Sequence, residues 1–118
     1  MGRRLRTAHG RVWPLKPFRL ATGVEEEIRS AARWHEDRRE GLGEDLVLAV
    51  KAAIQAMLEA PESHSPLGES GSLRFRQATV RRFPYRVVFL EMESEILVVA
   101  VAHERRRPGY WRSRLAEQ

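Results

Sequence analysis

Apolar side chains recur with a helical period in the first half of the chain and a strand period in the second. The change falls in a stretch rich in Ser, Gly and Pro, Glu62 to Ser72, which reads as a connecting loop. Val24, Ile28, Ala31, Ala32 and His35 share one helical face, behind Thr22 and Glu25 at the spacing of a capping box, and predict a first helix over about 22–39. Gly41 and Gly43 interrupt the pattern. Leu46, Val47, Val50, Ala53, Ile54, Met57 and Leu58 then form a broad apolar stripe up to Pro61, a second helix that pairs antiparallel with the first.

Beyond the loop, Leu73 to Phe83 alternates weakly, Tyr85 to Met92 is strongly apolar, and Ile96 to Ala102 is continuously so, with Glu93, Ser94 and Glu95 as a tight turn. Three antiparallel strands follow from this. The uninterrupted last run fits the most buried strand, covered on both faces by protein or offering one face to an oligomer contact. Val12 to Leu20 predicts an edge strand, since Pro14 and Pro17 keep it out of a sheet centre. The expected architecture is α+β: an N-terminal edge strand, an antiparallel helical hairpin, then a three-stranded antiparallel sheet. Residues 1–10 read as a mobile basic arm and 11–118 as one domain.

Charge sharpens the picture. Residues 1–20 carry six basic and no acidic groups, residues 21–71 five basic and eleven acidic, and residues 72–118 ten basic and five acidic. An acidic middle between basic ends points to a cationic face that meets phosphate or an acidic partner, with long-range attraction that salt weakens. Nineteen of the 21 basic residues are arginine, whose planar fork suits bidentate contact with either anion. With no cysteine, disulfide and thiolate-metal frameworks are excluded. No window approaches the roughly 18 apolar residues of a membrane span, and a cytoplasmic, soluble protein is expected.

The candidate chemistry gathers where strands end. His103, Glu104, Arg105, Arg106 and Arg107 follow the buried strand directly and are joined by Arg74, Arg76, Arg81, Arg82 and Arg86 and by the aromatic pair Tyr110 and Trp111. Were RNA the substrate, His103 or Glu104 could take the 2′-hydroxyl proton, the arginines could stabilise charge at phosphorus, and Tyr110 or Trp111 could stack on a base. A solvated charge run, a histidine paired with Glu104, and aromatics that close the core account for the same residues. His9, His35, His64 and His103 lack metal-ligand spacing, and no metal or cofactor is called for. Glu25, Glu26 and Glu27 complement the positive end of the first helix, and Trp34 and His35 fit packing against the sheet.

Gly41-Leu42-Gly43, Ala60-Pro61-Glu62 at a helix end, Arg82-Phe83-Pro84-Tyr85 entering a strand and Ala102-His103-Glu104-Arg105-Arg106 leaving one lie in an order that resembles the RelE/ParE family of bacterial toxins, over about 18–114. The resemblance implies a growth-inhibiting toxin neutralised by an antitoxin encoded beside it, which wraps across helices and sheet. RelE-like members cut messenger RNA on the ribosome, whereas ParE-like members poison DNA gyrase. The RelE-like arginine after the last strand would fall near Arg105 and the C-terminal aromatic near Tyr110 or Trp111, but the lysine cluster of those nucleases has no counterpart, as Lys16 and Lys51 stand elsewhere. The His-x-Arg pattern looks ParE-like.

Two expectations result. A ParE-like inhibitor would present Arg74, Arg76, Arg81, Arg82, Arg86, Arg105, Arg106, Arg107 and Trp111 to gyrase. The alternative, a metal-independent ribosome-dependent endoribonuclease, would use His103, Glu104, Arg105 and Tyr110 catalytically. In both the partner is an acidic, amphipathic antitoxin segment. An inactive member that retains antitoxin binding, or a general nucleic-acid binder, is a third reading.

Overall fold

Gly23, at φ +96°, turns the chain into its first helix, and Gly41, at φ +92°, turns it into the second. These left-handed turns bound α1 (Val24–Arg38) and α2 (Leu42–Glu59). The computed structural model describes residues 7–8, 11–12, 16–70 and 73–117. Before the helices come β1 (Thr7–Ala8) and β2 (Arg11–Val12), a short antiparallel ladder, and β3 (Phe18–Leu20). The arm expected over residues 1–10 lies outside the described residues apart from β1. After the helices come a 3-10 turn (Pro61–Ser63), β4 (Ser65–Ser70), β5 (Leu73–Thr79), β6 (Tyr85–Glu91), β7 (Ile96–His103) and a 3-10 helix (Tyr110–Glu117).

The expected three-stranded antiparallel sheet is instead a five-stranded mixed one, ordered β3-β7-β6-β5-β4. Two additions account for the difference. β3 is the expected edge strand, and it pairs parallel with β7, Phe18 to Ile96 and Leu20 to Val98, because the helical hairpin carries the chain to β4 at the opposite edge and the antiparallel run from β4 to β7 brings it back beside β3. β4 occupies the stretch read as a loop. Its sequence, SPLGES, has no apolar alternation, and its ladder shifts register between Pro66 and Gly68, both tolerable on an edge strand bonded on one side only.

The helices pack their apolar stripes on the sheet. α2 buries Leu46, Val50, Ile54 and Met57, and α1 buries Val24 and Ala31. Every residue of β7 from Ile96 to Ala102 is buried. Truncating a fully buried side chain such as Leu46 to alanine should cost about 2–5 kcal/mol. Phe75 and Trp111, ring centroids 6.5 Å apart, join the same core, so the C-terminal helix closes over the sheet.

The hairpin turn has a local cause. The Glu36 carboxylate accepts the N–H groups of Gly41 (3.0 Å) and Gly43 (2.9 Å), which lie at the start of α2 and lack intrahelical partners. These bonds favour the ionised carboxyl and hold its pKa below the ordinary range. A Cβ on Gly43 would stand 2.7 Å from the Ala32 carbonyl oxygen, so only glycine lets the helices approach this closely. At the other helix start the capping box is not made. The residue preceding α1 is the left-handed Gly23, and no side chain caps it.

Candidate functional site

The site forms where β7 outruns its neighbour. β3 pairs with β7 only as far as Val98, whose carbonyl also accepts the Ala21 N–H at 2.8 Å. Past that point side chains replace the missing strand. Val101 N–H donates to Glu27 Oε1 (2.9 Å), and Arg114 Nη1 donates to the Val99 carbonyl (2.9 Å). The two side chains pair with each other at 2.8 Å and are only 13% and 18% exposed. Leaving either backbone group buried and unsatisfied would cost about 1–3 kcal/mol, which gives this ion pair a structural reason. The Tyr110 hydroxyl also donates to Glu27. Burial, then this bond, push the phenol well above its ordinary pKa.

From His103 the chain turns back toward Tyr110. Glu104 N–H donates to Pro84 O (2.9 Å), Arg106 N–H to His103 O (3.0 Å) and Tyr110 N–H to Arg107 O (3.3 Å). The Arg106 guanidinium lies 3.8 Å from the Tyr110 ring centroid. Arg105 and Arg107 are exposed. The Glu104–Pro84 bond ties this turn to the β5–β6 turn, where Arg81 and Arg82 are also exposed and Arg82 has φ +74°. Arg81, Arg82 and Arg105 to Arg107 therefore share one end of the sheet.

The remaining predicted residues do not join them. Arg74 lies six residues before Val80, which puts it roughly 20 Å away along β5 at strand rise. Arg76 donates to the carbonyls of Glu62 (3.2 Å) and His64 (3.0 Å) and braces the 3-10 turn that leads into β4. Arg86 is half-buried, with its Nε making no hydrogen bond among the described residues. Trp111, expected on the target surface, is 2% exposed and belongs to the core. Its large apolar ring is covered where the C-terminal helix meets Phe75.

Between α1 and this end of the sheet lies a cleft of about 720 Å³, lined by Trp34, His35, Tyr85, His103 and Arg106 among others. The rings interlock edge to face: His35 meets Phe83 at 5.2 Å and Tyr85 at 5.8 Å, and Tyr85 meets His103 at 5.1 Å. Burial, with Arg38 and His103 adding repulsion, holds the His35 pKa below its ordinary value. His35 thus packs against the sheet as expected. Trp34 does not: it is 51% exposed, with the Arg38 guanidinium 3.5 Å over its ring.

Hydrogen bonding limits what the candidate catalytic groups can do. His103 Nδ1 accepts the Arg105 N–H at 3.0 Å, so neutral His103 carries its proton on Nε2 and its basic lone pair is occupied. The Tyr110 proton is directed at Glu27. Glu104 is exposed on the turn. Among the described residues no group of three or more His, Cys, Asp or Glu could hold a metal ion, and no helix is long and apolar enough to cross a membrane. The aromatic cleft thus lies beside the arginine-bearing end of the sheet, with Arg106 lining it.

Glu27, Arg114 and Trp34 escaped the sequence reading. Glu27 looked like one of three helix-start acids, and nothing in its neighbours distinguishes it from Glu25 or Glu26. Its partners lie 74 to 87 positions away.

The fold matches a solved structure described as the chromosomal ParDE TA system from P. aeruginosa, with a TM-score of 0.65 at 10% identity, covering 75% of this chain and 96% of that one. The two chains therefore share this architecture. Residues 18–108 match the family described as ParE toxin of type II toxin-antitoxin system, parDE, and the chain belongs to this family. No curated protein matches the chain.

Proposed function

We propose that this protein is a growth-inhibiting toxin that acts by binding, with DNA gyrase as its target, and that a cognate acidic antitoxin neutralises it. The observation that carries the choice of binding over catalysis is the Arg105 N–H on His103 Nδ1, which occupies the nitrogen a general base would use. Family membership supports the toxin reading, and the ParDE neighbour supports an antitoxin partner. Arg81, Arg82, Arg105, Arg106 and Arg107 supply the cationic surface. In the ribonuclease alternative His103 or Glu104 would be the base, Arg105 and Arg82 the phosphate clamps and Tyr110 the acid or a stacking group, and as an acid Tyr110 would have to give up its hydrogen bond to Glu27.

The antitoxin segment is acidic and amphipathic, and it seats an apolar side chain between Trp34 and Tyr85 while its carboxylates meet the arginine rim. The deciding experiment supplies purified protein to gyrase supercoiling and DNA-cleavage reactions and, in parallel, to cell-free translation with messenger RNA ends mapped with and without ribosomes. Inhibited supercoiling with intact messages supports the binding inhibitor. Ribosome-dependent cuts would overturn it.

A further inference from the structure

We infer that Glu27 is a positioning residue for the arginine-bearing turn, acting through Tyr110. The inference rests on the reading that Arg105 to Arg107 meet the target. The turn leaves β7 at His103 and ends at Tyr110, so its conformation depends on both ends being held. β7 holds the first. At the second, Tyr110 itself is held by Glu27, which accepts a hydrogen bond from the Tyr110 hydroxyl on the same carboxylate that pairs with Arg114 and accepts the Val101 N–H.

From there the order passes to a functional side chain, because Arg106 stacks on the Tyr110 ring at 3.8 Å. Without the Tyr110 bond, the second end of the turn is held only from beyond it, by Trp111 in the core and Arg114 on the Val99 carbonyl, and more of the arginines' order must be gained at the moment of binding. Among the described residues, no hydrogen bond or ion pair joins Glu27 to Arg105, Arg106 or Arg107. It sits on the first turn of α1, so that a helix and the cationic turn meet at one carboxylate.

The test compares Tyr110→Phe, which keeps the ring under Arg106 but removes the hydroxyl, with Glu27→Gln, which keeps the Val101 acceptor but loses the charge facing Arg114. Hydrogen exchange at the Arg106 and Tyr110 amides should quicken roughly tenfold or more in both, as expected for losing one bond to a charged group. Gyrase inhibition should weaken in parallel. Ile54→Val, which lowers stability from within α2, should leave those two amides unchanged and so separates positioning from general destabilisation. Unchanged exchange in both Tyr110→Phe and Glu27→Gln would overturn the inference. Failure of the unaltered chain to inhibit gyrase would overturn the target reading instead, while faster exchange in the two variants would still support the positioning role.

Discussion

His103 Nδ1 accepts the backbone N–H of Arg105 at 3.0 Å, so this histidine shapes the turn bearing the arginines. The consequence is mutational. His103→Ala should reduce growth arrest by less than about tenfold, the equivalent of roughly one hydrogen bond, whereas loss of a catalytic base typically costs 10²–10⁴-fold. Counting viable cells after induction of either protein distinguishes the two.

The arginine turn should govern encounter more than contact lifetime. Replacing Arg105 and Arg107 together by alanine should slow association with an acidic antitoxin by about tenfold at low salt, and the two association rates should converge as salt rises. Stopped-flow mixing across a salt series reads this directly. A rate ratio independent of salt would contradict the electrostatic role.

Arg82 occupies left-handed backbone, at φ +74°, that L-residues adopt at a cost of about 1–2 kcal/mol. Arg82→Gly should therefore leave stability unchanged or raise it slightly while weakening target inhibition. Chemical denaturation should show no loss of stability, while inhibition of gyrase, the proposed target, should weaken on the same preparation.

The two glycines of the helical hairpin should fail for different reasons. Gly43→Ala forces a Cβ against the Ala32 carbonyl and should cost about 1–3 kcal/mol, the range for overpacking. At Gly41 nothing lies within 4 Å, so alanine there should suffer only from φ +92°, about 1–2 kcal/mol. Removing the Glu36 carboxylate from the Gly43→Ala protein should add little if the displaced helices have already broken its bonds, a non-additivity that a double-mutant cycle measures.

Stability should fall on mild acidification through His35. Its folded pKa lies below the ordinary 6.5, so in the window beneath 6.5 the unfolded chain binds the proton first and stability declines as pH drops. Thermal unfolding followed from pH 7.5 toward 5.5 should show this decline, and His35→Gln should flatten it. Glu36, whose pKa is depressed, loses its stabilising contribution only in the carboxylate range, at lower pH.

The sequence by itself determined the helical hairpin, the three long strands and the cationic strand end, because each rests on local periodicity or on residues adjacent in the chain. α1 falls over 24–38 against an expected 22–39, and the arginines after β7 emerge where the apolar run stops. Only the tertiary structure decided the parallel pairing of β3, the edge strand β4 and the burial of Trp111. Edge strands need satisfy hydrogen bonds on one side only and carry weak patterns, and an aromatic side chain near a chain end packs or projects according to what covers it. Tertiary structure alone also separated Arg74 and Arg76 from Arg82 and Arg105, since a strand spreads neighbours in sequence along its length. It gave Glu27 its role: a carboxylate on a helix becomes the partner of a strand amide, a tyrosine and an arginine only when the fold leaves the edge of β7 open beside it.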